Sequence, residues 1–131
     1  MNKELIQSLI KNAREASENA YCPNSNVAEG ACLLTNDNMV FNGCNIENSS
    51  LACSMSATEA AVANAVVNGK TNFSVLCLYS EKEWPVPDGR SVQILSEFNH
   101  SANVIIANAD GSMIYKLHDM LPFRRIVSGD E

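Results

Sequence analysis

The chain has 131 residues, enough for one hydrophobic core but too few for two full domains, so we predict a single domain over residues 1–131. Hydrophobic residues make up 46% and charged residues 18% of the chain, and no apolar stretch is long enough for a membrane span. The net charge is −6, with lysine and arginine scattered along the sequence, which argues against a nucleic-acid partner.

The N-terminal segment and the cysteines both indicate a reducing compartment. "MNKELIQSLI" lacks the apolar segment and the cleavage site of a signal peptide, which predicts a cytoplasmic location. The five cysteines are an odd number and form no C-x-x-C pair, so we predict free and mostly buried thiols rather than disulfides or metal ligands.

The first third of the chain predicts a helix followed by a hairpin. Apolar residues recur at three- and four-residue spacing, which predicts an amphipathic helix from about Lys3 to about Ala20 that stops before Pro23. Two short β-prone runs follow, "ACLLT" and "MVFNGC", separated by an Asn-Asp-Asn turn. These two strands are therefore predicted to be antiparallel.

A polar loop, "NIENSS", leads into a second helix. Ser56 with Glu59 three residues later forms a possible capping box, and Gly69 is a natural stop. Residues 60–67 are rich in alanine and valine, so we expect this helix body to be buried.

The remaining segments complete a mixed sheet. "FSVLCLYS" is nearly all apolar, as expected of a central strand, and "EKEWPVPDG" is a loop before a third helix. "NVIIAN" and "MIYKL" flank an Asp-Gly turn. The resulting order, α-β-β-α-β-α-β-β-α, predicts an α/β fold of three layers, α/β/α.

Residues 43–50, "GCNIENSS", resemble the G-C-N-[IV]-E-N-A segment of the cytidine deaminase family. The likeness begins at "AYCPNSNVAEGACLLT" and continues through Q-x-x-x-E-F at residues 93–98 to the Leu-Pro at residues 121–122. This resemblance implies a cytidine deaminase-like fold with a mixed five-stranded sheet.

The family holds zinc with three cysteines at the starts of two helices, and a glutamate there moves protons. Laid on that pattern, Ser56, Asp88 and Ser91 stand at the three cysteine positions and Thr58 stands at the glutamate position. The resemblance therefore implies a lost metal site, and we predict that zinc is absent, that there is no other cofactor, and that hydrolytic deamination of cytidine is lost.

Two nearby residues could in principle substitute for the missing groups. Glu59 lies one residue past the catalytic position, which turns its side chain by about 100° on a helix, and Cys53 is three residues early. We predict that neither reaches the pocket.

Three further positions bear on substrate binding. Asn45 and Glu47 match the family residues that bind the ribose hydroxyls, although both residues could instead serve only to hold the loop in shape. Val27 stands where the family has a phenylalanine that stacks on the pyrimidine, and Glu29 replaces a valine. These changes predict a pocket with an altered preference.

The leading hypothesis is a catalytically inactive, zinc-free family member that keeps a pocket for a nucleoside or related small molecule. One alternative is a structural or regulatory subunit that assembles with itself, as a tetramer or dimer, or with an active paralogue. Another is a metal-free enzyme that uses Asp88 as a base in a closed pocket. Near the end, Arg124 and Arg125 could meet an anion from a partner subunit, or form a solvated surface pair.

Overall fold

The structure is a computed structural model in which residues 1–123 and residue 125 are described, so Arg124 lies outside the described residues. The elements follow the predicted order, with one extra 3₁₀ helix at Leu51–Cys53. The helices are α1 (Lys3–Ser17), α2 (Ala57–Val67), α3 (Gly89–Ser96) and α4 (Leu117–Met120). The strands are β1 (Gly30–Thr35), β2 (Val40–Cys44), β3 (Phe73–Tyr79), β4 (Asn103–Ala107) and β5 (Ser112–Lys116).

The five strands form one mixed sheet in the order β2-β1-β3-β4-β5. β1 pairs antiparallel with β2 and with β3, β3 pairs parallel with β4, and β4 pairs antiparallel with β5. Both predicted hairpins and the central position of β3 are therefore confirmed.

Helices cover both faces of the sheet, which confirms the predicted three-layer α/β/α fold. On one face, α1 contributes Leu9 and Ala13 to a core shared with alternate residues of β1, β3 and β4. On the other face, α2 and α3 pack on the opposite set of strand residues, which includes Ala31, Leu76 and Leu78. Successive side chains of a pleated strand point to opposite faces, so strands covered on both faces are apolar at consecutive positions.

The first helix is shorter than predicted. It ends at Ser17 and not near Ala20, because the next three backbone N–H groups bond to the carbonyl three residues earlier instead of four. These bonds, from Glu18, Asn19 and Ala20, measure 3.1–3.2 Å. The tightened turns end the α-helix before the proline is reached.

The prediction that the body of α2 is buried is wrong for half of its surface. Ala61, Val62 and Ala65 pack on the sheet, but Val66 is exposed and Val67 keeps 81% of its surface exposed. A helix with 3.6 residues per turn presents only one face to the sheet, whatever the composition of the other face. Both predicted ends are confirmed, since Ser56 and Glu59 form the capping box and Gly69 has φ of 82°.

The cysteines are free, as predicted, but fewer are buried than expected. Cys32 and Cys77 face each other across β1 and β3 in the core, and burial raises the pKa of the Cys32 thiol to about 12. Cys53 is exposed, because it lies in the 3₁₀ helix at the surface. In the described part of the chain, no helix combines the length and apolar character needed to cross a bilayer.

The segments that carry the sequence motifs meet at one end of the strands. The start of β1 lies beside the ends of β2 and β3, because Gly30 pairs with both Cys44 and Tyr79. A Cβ atom on Gly43 would lie 2.3 Å from the backbone nitrogen of Ala61 and 2.6 Å from the carbonyl of Ala57. The first turn of α2 therefore packs directly on the end of β2.

Candidate functional site

The first turns of α2 and α3 are joined by a side-chain hydrogen bond. Ser56 caps α2, and its Oγ lies 2.7 Å from Oγ of Ser91 in the first turn of α3. Asp88 caps α3 and accepts a hydrogen bond of 2.8 Å from the backbone N–H of Ser91. The structure thus brings together all three residues that stand at the family's cysteine positions.

A second link between the two helices is ionic. Glu59 accepts from the backbone N–H of Ser56 at 2.8 Å and forms an ion pair with Arg90. The prediction that Glu59 stays out of the pocket is wrong, since it lines the cleft described below. Both oxygens of its carboxylate are nevertheless occupied, and its side chain is 10% exposed.

Thr58 is fully buried in the first turn of α2, and its position offers a hydroxyl but no carboxylate. Asp88 is exposed and its carboxylate caps the helix, so the closed pocket required for a base at this residue is not present. Thr58 therefore has no carboxylate to act as a general base, and the carboxylate of Asp88 already serves as a helix cap.

A cleft of about 520 Å³ opens beside the helix tips. Its volume is in the range of small-molecule sites. Its lining includes Asn45, Glu47, Leu51, Met55, Ser56, Glu59 and Asp88.

The loop that carries Asn45 and Glu47 is held by backbone hydrogen bonds on two sides. Tyr21 donates to the Asn45 carbonyl at 3.0 Å and accepts from the Glu47 N–H at 2.7 Å. Ile46 and Met55 exchange a pair of bonds of 2.9 and 2.8 Å. These bonds fix the backbone from which the side chains of Asn45 and Glu47 extend.

The side chain of Asn45 supports the neighbouring chain segment. Its Oδ1 accepts from the backbone N–H of Glu29 and its Nδ2 donates to the carbonyl of Val27, both at 2.9 Å. A primary amide can make further bonds through its second lone pair and second N–H. Asn45 therefore has a shape-holding role and retains capacity for a ligand.

Glu47 differs because both backbone bonds to its carboxylate go to the same oxygen. Oε1 accepts from the backbone N–H groups of Asn24 at 2.9 Å and of Ser25 at 3.1 Å. Hydrogen bonding from Ser25, and then from the backbone of Asn24, lowers the pKa of Glu47 below its ordinary value. Neither backbone bond uses Oε2, and Glu47 lines the cleft, so its ionised carboxylate can accept from a ligand there.

Val27 does not line this cleft. It borders a neighbouring recess of about 290 Å³, formed with Asn26 and the segment after β3. Val27 therefore does not line the cleft that Asn45 and Glu47 share, although its carbonyl accepts a hydrogen bond from the Asn45 side chain.

The position of Glu29 in the structure was not predicted from the sequence. It is half-buried, and burial together with the charge of Asp88 raises the pKa of its carboxyl to about 7. The sequence carries one signal for this placement. Side chains alternate along a strand, and Glu29 is two residues before Ala31, whose side chain packs under α2 and α3. Arg90 was also missed, and nothing in the sequence links it to Glu59, 31 residues away.

Comparison with known proteins places these features in a family. Residues 1–77 match the family model described as the cytidine and deoxycytidylate deaminase zinc-binding region. The cytidine deaminase of Sporosarcina psychrophila is 36% identical over 110 residues, which is 82% of this chain and 81% of that protein. A probable cytidine deaminase of Dictyostelium discoideum is 30% identical over 93% of this chain and 84% of its own length.

Solved structures agree with the sequence relatives. The crystal structure of cytidine deaminase from Burkholderia pseudomallei matches with a TM-score of 0.87 and 32% identity, over 95% of this chain and all of that one. Cytidine deaminase from Mycobacterium tuberculosis matches with a TM-score of 0.80 and 30% identity, over 92% of this chain and 97% of that one.

The matched region contradicts the prediction that the protein has no cofactor, because the region is described as the zinc-binding one. The residues at the helix tips do not fit that metal, however. Zinc in proteins is held by thiolates, imidazoles and carboxylates, whereas here two hydroxyls bond to each other and the carboxylate of Asp88 caps a helix. Among residues 1–123 and 125, no group of three such ligands is assembled.

Proposed function

Because the chain belongs to the cytidine deaminase family, we propose that it binds a nucleoside in the cleft beside α2 and α3 and does not deaminate cytidine. The observation that carries the binding proposal is Glu47, a carboxylate at the cleft that two backbone N–H groups hold through Oε1 while Oε2 takes no part in these bonds. Vicinal ribose hydroxyls are donors of the kind that such an oxygen accepts.

The surroundings of Glu47 support a site of this size and chemistry. The cleft holds about 520 Å³ and combines Asn45 and Glu47 with the apolar side chains of Leu51 and Met55. Pockets for small ligands typically combine apolar walls with a few fixed polar groups. The related proteins are named for cytidine, which makes pyrimidine nucleosides the first ligands to test.

The absence of deamination rests on the proton-transfer position. A hydroxyl at Thr58 cannot take up and return a proton as a carboxylate can, and a positioned general base contributes about 10²–10⁴-fold to a rate. Glu59, the nearest carboxylate on α2, is engaged by Ser56 and Arg90. Rotating it toward a substrate would break the capping box and the ion pair together.

Binding is tested by isothermal titration of cytidine and uridine into the wild-type protein and into Glu47→Gln. The variant keeps the size of the side chain but loses its charge, so we expect an affinity at least about tenfold weaker. Glu18→Gln, at the exposed end of α1 on the other face of the sheet, is the matched control and should bind like wild type. Equal affinity in the Glu47 variant would refute the assignment of this site.

Deamination is tested by following conversion of cytidine to uridine with zinc supplied in the assay. Adding the metal makes the result independent of how the protein was purified. We expect no conversion above the uncatalysed rate. Turnover by the wild-type chain that disappears on mutating Thr58 or Asp88 would contradict the proposal.

A second candidate, assembly with itself or with an active paralogue, is favoured by an apolar rim next to the cleft. The rim consists of four exposed side chains: Tyr21, Ile46, Leu51 and Met55. Leu51 alone keeps 80% of its surface exposed, and contiguous exposed apolar surface is typical of interaction sites. A dimer or tetramer and a cytoplasmic location remain our predictions.

Assembly is tested by sedimentation of wild type, of Leu51→Glu and of the control Val67→Glu, an exposed position at the opposite end of α2 from the cleft. We expect an oligomer that only the Leu51 variant dissociates. A wild-type monomer at all concentrations that also fails to bind an active cytidine deaminase would exclude this candidate.

A further inference from the structure

The strand β5 lies at one edge of the sheet. It is last in the strand order, and among residues 1–123 and 125 no strand pairs with its outer side. Edge strands leave a row of backbone N–H and C=O groups without a strand partner. In an antiparallel pair, every second residue exchanges backbone bonds with the neighbouring strand, and the residues between them point away from it. The bonds at the two ends of the β4–β5 pair therefore show which residues of β5 face outward.

Two backbone hydrogen bonds establish this alternation. At one end of the pair, Leu117 donates to the carbonyl of Ala102 at 2.9 Å, and at the hairpin Asn108 donates to the carbonyl of Gly111 at 3.0 Å. Both bonds continue the register of the β4–β5 pair, and both involve an odd-numbered residue on the β5 side. The backbone groups that face the open edge are consequently those of the even-numbered residues, Ser112, Ile114 and Lys116.

The apolar side chains of this strand are exposed on both faces of the sheet. Met113 and Ile114 keep 48% and 47% of their surface exposed, and they point to opposite faces. The hydroxyl of Tyr115 lies 3.4 Å from the sulfur of Met113, on the same face. An exposed apolar edge strand is a template for pairing with another strand.

We propose that β5 pairs antiparallel with β5 of a second copy of this chain, so that the two sheets become continuous across a two-fold axis at Ile114. This register overlaps the whole strand and places Ser112 opposite Lys116 of the second copy. All the outward backbone groups then pair, which gives about six hydrogen bonds, two for each bonded pair of residues. The contact is isologous, because the same surface serves on both copies.

Charge and packing complementarity favour a second copy as the partner. Lys116 becomes a diagonal neighbour of the second copy's Asp110, an exposed residue two positions before Ser112, so opposite charges meet at each end of the contact. Met113 lies opposite Tyr115 of the second copy, in a pair without backbone bonds, where side chains approach most closely. A methionine sulfur and an aromatic ring attract each other at such distances.

This surface is separate from the rim that contains Leu51, and the proposal does not depend on the nucleoside site. The loop that carries the rim continues from β2, and β2 and β5 are the opposite edges of the sheet. If both surfaces associate, the wild-type protein is a tetramer, and Leu51→Glu reduces it to the dimer held by β5.

Sedimentation equilibrium in the Leu51→Glu background tests the pairing without association at the rim. We expect a dimer there, and adding Ile114→Lys should raise its dissociation constant at least about tenfold, because two lysines would face each other at the two-fold axis. Val40→Lys is the matched control and should leave the dimer unchanged, since Val40 is an apolar residue of the other edge strand with 40% of its surface exposed. A monomer in the Leu51→Glu background, or a dimer that Ile114→Lys does not weaken, would overturn the proposal.

Amide hydrogen exchange of the wild-type protein provides a second test that needs no variant. The N–H groups of Ile114 and Lys116 should exchange at least about tenfold more slowly in the associated protein than in the dilute monomer. Those of Met113 and Tyr115 bond to β4 and should be protected at every concentration. Exchange at Ile114 that does not depend on concentration would overturn the pairing, and melting curves establish that each sedimentation variant keeps the fold.

Discussion

The hydroxyl oxygens of Ser56 and Ser91 lie 2.7 Å apart and connect the first turns of two helices that are 35 residues apart in sequence. Ser56 Oγ also accepts from the backbone N–H of Glu59, at 3.1 Å. Ser91 is almost completely buried, so its hydroxyl has a protein partner where water has little access. The two helix tips therefore form a single polar unit at the side of the cleft.

This contact predicts an energetic coupling between the two serines. In a double-mutant cycle of Ser56→Ala and Ser91→Ala, we expect a coupling free energy of about 0.5–1.5 kcal/mol in urea unfolding. As a control, Ser56→Ala combined with Ser96→Ala should be additive, because the Ser96 hydroxyl bonds within its own helix to Val92. Additivity of the first pair as well would show that the contact does not contribute to stability.

Removing Glu59 should destabilise the fold more than removing its ion-pair partner Arg90. The Arg90 side chain is 76% exposed, so Arg90→Ala is expected to cost less than about 1 kcal/mol. Glu59→Ala also removes half of the capping box and should cost about 1–2 kcal/mol. Thermal unfolding of both variants measures the difference, and equal losses would assign the stabilisation to the ion pair alone.

The close approach of β2 to α2 predicts that Gly43 does not accept a side chain. Gly43→Ala is expected to destabilise the fold by about 3 kcal/mol, because the added carbon would overlap the backbone of α2. Gly111→Ala is the control, since a Cβ there meets nothing within 4 Å. If chemical denaturation gave the two variants the same stability, the packing of β2 against α2 would have to be different from that described.

Glu29 predicts a pH dependence of stability with a definite sign. Its pKa rises from 4.5 in the unfolded chain to about 7 in the folded protein, so the folded state binds the proton more tightly. Stability from this group is present below pH 4.5 and is lost as the pH rises through 7, by no more than about 3 kcal/mol.

Glu29→Gln removes that titration. We expect the variant to be more stable than wild type above pH 7 and to show a smaller loss of stability between pH 4.5 and 7. Urea unfolding at several pH values gives both quantities. A wild-type protein whose stability rises over this interval relative to the variant would mean that a nearby cation outweighs the effects of burial and of the Asp88 charge on the Glu29 pKa.

The order of the elements follows from local patterns, which explains why it was predictable. The capping box at Ser56 and Glu59 and the positive φ at Gly69 are determined by residues within one or two turns, and both were found. The burial of α2 was predicted wrongly, because amino-acid composition does not show which face of a helix packs on the sheet. Val67 is as apolar as Val62, yet only Val62 lies on the sheet side.

The contacts that Arg90 and Glu29 make across the site were not predicted, for a related reason. The family resemblance placed Ser56, Asp88 and Ser91 at the three cysteine positions of one site. It carried no information on the ion pair of Arg90 or on the orientation of Glu29. These depend on how β1, α2 and α3 pack in three dimensions. The functions assigned to Asn45 and Glu47 stay predictions, because the same bonds that hold their loop would exist with or without a ligand.

The central claim, a nucleoside bound by Glu47, is tested most directly by ¹H–¹⁵N chemical-shift mapping during a titration with cytidine. We expect the largest changes at the backbone amides of Asn24 and Ser25, which donate to Glu47 Oε1, and at the side-chain amide of Asn45. Shifts centred on these groups, and lost in Glu47→Gln, would agree with the account. Saturable shifts confined to another surface, or none at all, would contradict it.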